Sequence, residues 1–111
     1  MKKLIFLFSL FIAFQAVAQE GIRFRHCSWE EAKAMAKKEK KPIFIDFYTQ
    51  WCGPCLNMAE NIFTLGSVGN FYNDHFVCLK IDAETGEGVE LAKKYEVASF
   101  PTFVFVNPKT E

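Results

Sequence analysis

Charge of one dominant sign is lacking: the 111 residues carry 13 lysines and arginines against 13 aspartates and glutamates. The densest basic run, Lys37-Lys38-Glu39-Lys40-Lys41, is short and holds an acid at its centre. Nothing in this balance makes an electrostatic case for a nucleic-acid partner. Internal repeats and low-complexity segments are also missing. The longest apolar stretch, residues 4–14, has eleven residues and is broken by Ser9. That is well short of the roughly 20 residues a spanning helix needs. Against these absences, half the chain is apolar and 16% is aromatic, a composition that excludes disorder.

The start of the chain reads in three parts. Met1-Lys2-Lys3 is positive, residues 4–14 are apolar, and Ala16-Val17-Ala18 is a small-x-small cleavage site. This order predicts a secretory signal peptide over residues 1–18 and one domain over residues 19–111. Cleavage leaves 93 residues with 11 basic and 13 acidic side chains, enough for a single core and too few for two. Arg25-His26 before Cys27 does not suit a lipid attachment site. The expected location is an exported one, a bacterial periplasm or the exterior, where disulfides persist.

Along the rest of the chain, Ile22-Arg23-Phe24 alternates like a short strand. Ser28-Trp29-Glu30-Glu31 is a capping box that opens a helix over 29–40. Trp29, Ala32, Met35 and Ala36 share one face of it, and lysines crowd its last turn, where they suit the dipole. Pro42 stops that helix. Residues 43–47 form a nearly continuous apolar run, read as a strand buried on both faces, with Asp46 as its anomaly. A loop over 48–53, a helix over 54–63 and a broken helical piece over 65–73 follow. Then come a strand over 76–81, a turn, a short helix over 89–95, a buried strand over 102–106 and a turn at 107–110. The order β-α-β-α-β-α-β argues for an α/β fold whose sheet is parallel at least in part. A strand as apolar as 102–106 wants neighbours on both sides, which predicts that the domain continues past Glu111.

Trp51-Cys52-Gly53-Pro54-Cys55 falls between a buried strand and a helix. Two intervening residues at a helix start put both sulfurs within disulfide reach. Cys52 then lies at or near the N-cap, beside unpaired N–H groups and the positive end of the dipole, which favour thiolate over thiol. Pro54 in the first turn gives up only an N–H that has no partner there. The competing reading is half of a zinc site. It would need ligands from His26, Cys27, His75 and Cys78, and the adjacency of the first two suits one tetrahedral centre poorly.

The run from Ile43 to Cys55, with Lys80-Ile81-Asp82 and Ser99-Phe100-Pro101-Thr102, resembles the thioredoxin family over nearly the whole of residues 28–111. The long helix followed by Lys-Lys-Pro and an apolar strand looks most like the exported thioredoxin-like proteins of Gram-negative bacteria. The resemblance implies a thioredoxin-like α/β fold, a central mixed sheet flanked by helices, truncated before the last strand and helix. It implies Cys52 as the attacking thiolate and Cys55 as the buried resolving thiol, exchanging through a mixed disulfide to a Cys52–Cys55 redox disulfide. Pro101 would carry a cis bond beside the sulfurs, leaving the Phe100 backbone to pair with an extended substrate. Asp46, buried beneath Cys55, would accept its proton through water. Trp51, Gly53, Pro54, Phe100 and Pro101 would form the substrate-binding surface, with Trp51 capping it, and no cofactor is implied.

Four positions depart from the family pattern. Tyr48 stands where cytosolic members usually carry Trp. Gln50 replaces a common acid and removes negative charge near Cys52. Cys78 stands where a lysine often partners the buried acid, and Phe100 is bulkier than the usual aliphatic residue. Cys27 and Cys78 admit two readings, buried small hydrophobes or a structural disulfide.

The function implied is an exported thiol–disulfide oxidoreductase, with Gly-Pro between the cysteines favouring a reductase. Its partners would be protein substrates with disulfides or thiols, and a thiol electron donor such as a membrane thiol transporter. The alternatives are a disulfide isomerase or oxidase, or a non-catalytic binding module using the Phe100-Pro101 groove.

Overall fold

A computed structural model describes residues 20–111 of the chain; the expected signal peptide lies outside the described residues. The elements run α1 (Trp29–Glu39), β1 (Ile43–Tyr48), α2 (Gly53–Asn61), α3 (Gly66–His75), β2 (Val77–Asp82), α4 (Gly88–Lys94) and β3 (Thr102–Val106). The three strands form one sheet in the order β2-β1-β3. β1 pairs parallel with β2 and antiparallel with β3, so the sheet is mixed and the strand that feeds the CxxC loop is its centre.

α1 starts where its capping box places it. The Ser28 hydroxyl accepts the Glu31 N–H at 3.1 Å, and the Glu31 carboxylate accepts the Ser28 N–H at 3.3 Å. The helix ends one residue earlier than the pattern suggests, because Lys40 turns left-handed with φ 56° and its N–H closes on the Ala36 carbonyl. Trp29, Ala32 and Ala36 are buried, and Met35 packs at the margin.

Alternation along β1 divides the interior in two. Ile43, Ile45 and Phe47 face a core built with α1, α4, Val77, Leu79 and Val106. Phe44, Asp46 and Tyr48 point the other way, where Phe44 packs with Phe63, Cys78, Met58 and Tyr72 beneath α2 and α3. The first face is dry and mostly aliphatic, with Trp29, Phe47 and Tyr95 among its aromatics. The second holds the larger cluster of aromatics and the one buried acid among the described residues.

Two expectations change. Residues 22–24 do not form a strand: Phe24 makes an isolated parallel bridge to Cys78, and the Arg25 N–H reaches the Cys78 carbonyl at 2.8 Å. The segment grazes the β2 edge without a ladder, giving three strands instead of four. β3 is not buried on both faces either. Val104 and Val106 join the dry core, while Phe103 is 39% and Phe105 55% exposed. Among the described residues its only strand neighbour is β1, so its edge is open, and its outward aromatics are covered on one side only, by Phe44, Phe63 and Phe76.

α3 approaches the chain start through a glycine. A Cβ at Gly69 would collide with the Glu20 carbonyl and the Gly21 backbone, neither of which can rotate aside. Gly69→Ala is therefore expected to destabilise the fold by about 2 kcal/mol despite alanine's higher helix propensity, read as a lower urea midpoint at unchanged slope.

Candidate functional site: a disulfide at a helix N-terminus

β1 delivers the chain to the site and a short loop reverses it. The Tyr48 carbonyl is held by the Ala83 N–H at 3.0 Å, and the Thr49 carbonyl accepts the Cys52 N–H at 3.4 Å. α2 begins immediately afterwards, with Cys52 as its N-cap in extended backbone and Pro54 in the first turn. The Cys52 sulfur accepts the Cys55 N–H at 3.1 Å, the bond a serine or aspartate oxygen makes at an ordinary N-cap. Cys52 and Cys55 are joined as a disulfide, with Cα atoms 5.2 Å apart.

The sulfurs border a cleft of about 250 Å³ whose wall includes Tyr48, Thr49, Trp51, Gly53, Leu56 and Lys80. The expected contrast between an accessible Cys52 and a buried Cys55 is not carried by exposure, since the residues are 6% and 4% exposed. What separates them is the cap: only Cys52 stands outside the first turn, with a backbone N–H aimed at its sulfur. Gly53 is exposed with open space around its Cα, and Pro54 is exposed on the helix rim.

Trp51, 71% exposed, stands on the rim and not in the core. Its ring meets Phe100 edge-on at 6.1 Å, which brings the Phe100-Pro101 loop to the cysteine loop. The Phe100–Pro101 bond is cis, as the resemblance implies. The Trp51 indole N–H donates to the Glu84 carboxylate. Gln50 donates to Asp82 at 3.1 Å, and the other Asp82 oxygen takes the Glu84 N–H at 2.9 Å. The negative charge expected to be lost at Gln50 is thus resupplied by two acids at the exit of β2, a contact between distant segments that no local motif announces.

Asp46 is 1% exposed, and its Oδ1 has no hydrogen-bond partner among the described residues. Burial pushes its pKa up to about 6, with the Lys80 cation pulling it back. Lys80 is the residue opposite Asp46 in the parallel register. The lysine that seemed missing, with Cys78 in its place, is therefore supplied two residues further along the same face of β2. Its ammonium lies 4.7 Å from the Tyr48 ring centroid, a cation–π contact at the cleft wall. Sequence reasoning missed Lys80 because it compared positions along the chain and not across the ladder.

The remaining cysteines are both free thiols: Cys27 is half-buried and Cys78 buried. Cys78 packs into the Phe44–Phe63 cluster, and burial pushes its thiol up to about 11. Among the described residues, no three His, Cys, Asp or Glu side chains form a group able to hold a metal ion.

A disulfide capping a helix at the end of a central strand, faced by a cis-proline loop, places the chain in the class of thioredoxin-fold redox proteins. The comparisons agree. A family model described as thioredoxin-like matches residues 24–108, and the chain belongs to the thioredoxin family. It is 42% identical over 74 residues to thioredoxin-1 of Drosophila melanogaster, covering 67% of this chain and 64% of the relative. A chloroplastic thioredoxin-like protein of Arabidopsis thaliana is 31% identical over 91 residues, covering 81% of this chain and 47% of the relative. The chain thus spans less than two thirds of the length of these relatives. Among solved structures, a proposed disulphide-isomerase from Bacteroides thetaiotaomicron superposes with a TM-score of 0.74 at 47% identity, covering 83% of this chain and 76% of that one. A thioredoxin from Thermus thermophilus gives 0.70 at 30% identity, covering 81% and 68%.

The raised Asp46 pKa has a signed consequence. The folded chain keeps a proton that the unfolded chain has already released between about pH 4 and pH 6, so this group makes stability fall as pH rises through that window and level off above it. Asp46→Asn is expected to stabilise the fold by on the order of 2–3 kcal/mol at pH 7.5 and by almost nothing below pH 4, measured by urea unfolding at both values. Lys80→Met should shift the window upward, seen as a higher carboxyl pKa by NMR titration.

Proposed function

We propose that this chain is an exported thiol–disulfide oxidoreductase that reduces disulfides in protein substrates. The observation that carries the reading is the Cys55 N–H aimed at the Cys52 sulfur at the start of α2, because it favours the charged form of the sulfur that must attack. The Cys52 thiolate attacks one sulfur of a substrate disulfide. A mixed disulfide forms, and the other substrate sulfur leaves as a thiolate. Cys55 then loses its proton, with Asp46 as the acceptor, and attacks the Cys52 sulfur. The substrate leaves with both sulfurs reduced, and the pair is left as the Cys52–Cys55 disulfide. A pKa near 6 lets Asp46 give that proton up again near neutral pH.

Trp51, Gly53, Pro54, Phe100 and Pro101 form the docking surface for an extended segment of substrate. Two electrons from a thiol donor, in an exported setting a membrane thiol transporter, restore the dithiol. The leader pattern of residues 1–18 supports a periplasmic or secreted location. A second reading, disulfide isomerase, is favoured by the 47% identity to the proposed disulphide-isomerase from Bacteroides thetaiotaomicron. The redox potential separates the directions: about −270 mV marks a reductant, about −180 mV an isomerase and about −120 mV an oxidant.

Cys52→Ser is expected to abolish dithiothreitol-driven reduction of insulin, and Cys55→Ser to accumulate mixed disulfides visible on non-reducing gels. Undiminished turnover by the Cys52 variant sinks the assignment.

A further inference from the structure

Among the described residues, two buried side-chain oxygens have no hydrogen-bond partner: Asp46 Oδ1 and Thr49 Oγ1. Both lie on the short segment that runs from β1 into Cys52. A buried polar atom left unpaired costs stability, so such atoms are rare and each requires a reason. Asp46 has one in the proton exchange proposed above. Thr49 has none in that scheme. It is 2% exposed, it borders the same cleft as the two sulfurs, and its own carbonyl accepts the Cys52 N–H. Valine has the same shape and would fill the space without an orphaned hydroxyl.

We propose that the Thr49 hydroxyl is a hydrogen-bond donor reserved for the reduced state, paired with the thiolate that forms at Cys52 and orphaned again when the disulfide closes. In the disulfide the Cys52 sulfur takes a bond from the Cys55 N–H and none from the Thr49 hydroxyl; breaking the S–S bond lets the sulfurs separate to nonbonded distance and the hydroxyl turn onto the freed one. A thiolate carries a full charge, and bonds to it are charge-assisted and stronger. Reduction by dithiothreitol puts two electrons into the S–S bond. One of the reductant's two thiol protons ends on Cys55 and the other goes to solvent. Cys52 stays a thiolate, and the reductant closes to its cyclic disulfide. The hydroxyl therefore penalises the oxidised form and stabilises the reduced one, and both effects raise the potential. This role rests on the reading of Cys52 as the charged sulfur of a cycling pair.

The test is the equilibrium of the protein with mixtures of reduced and oxidised dithiothreitol, for the parent chain, Thr49→Val and Thr49→Ser. Thr49→Val should move the equilibrium about tenfold toward the disulfide, about 30 mV more negative. Thr49→Ser, which keeps the hydroxyl, should stay within twofold of the parent. Urea unfolding of Thr49→Val should show the oxidised form at least as stable as the parent and the reduced form less so. An equilibrium within twofold of the parent for Thr49→Val overturns the proposal, as does an equal shift in Thr49→Ser, or an equal stability change in both redox forms. Thr49→Ala supplies a second hydroxyl-free variant should valine prevent folding. The equilibrium needs no protein substrate, so a chain that leaves insulin intact still reports on Thr49, and the two ideas fail separately.

Discussion

One hydrogen bond organises the chemistry of this molecule, from the Cys55 N–H to the sulfur of Cys52. A helix start leaves its first N–H groups without partners, and most helices satisfy them with an oxygen. Here a sulfur does it. The cap that begins α2 is therefore also the sulfur proposed to attack, and the N–H that completes the helix start is the one that would favour its thiolate. That arrangement demands a stiff support on the other side of the loop. β1 provides it, paired on both edges and buried along nearly its whole length.

The division of β1 into two faces explains why the reactive centre and the stable core do not compete. Odd-numbered residues hold the sheet to α1 and α4 through apolar packing that includes Phe47, Trp29 and Tyr95. Even-numbered residues turn Phe44, the acid and Tyr48 to the other side, where Phe44 packs beneath α2 and α3 and Lys80 of β2 lies opposite Asp46 in the register. A buried acid on the first face would disrupt a dry core with nothing to offset it. On the second it sits across from Lys80 and near a cleft.

Features encoded within a few residues were legible in the sequence: the capping box at Ser28, the stop before Pro42, the strand-loop-helix around CGPC and the Phe100-Pro101 loop. Features that depend on how distant segments meet were not. Lys80 faces Asp46 only because the parallel register pairs residues 34 positions apart. Glu84 reaches Trp51 only because the exit of β2 lies beside the cysteine loop. The exposure of Phe103 and Phe105 is invisible in an apolar pattern, since periodicity states which face a side chain takes and not what covers it. Thr49 reads as a polar loop residue, and its burial emerges only when the cleft is assembled.

The aromatic packing around Cys78 also governs how this thiol behaves toward disulfides. Burial pushes its pKa up to about 11, so at neutral pH it stays protonated, and a protonated thiol does not attack disulfides. The spare sulfur beneath α3 is thus excluded from exchange with the working pair. An alkylating reagent applied to the reduced native fold would therefore discriminate the helix-capping sulfur from the one entombed among the phenylalanines.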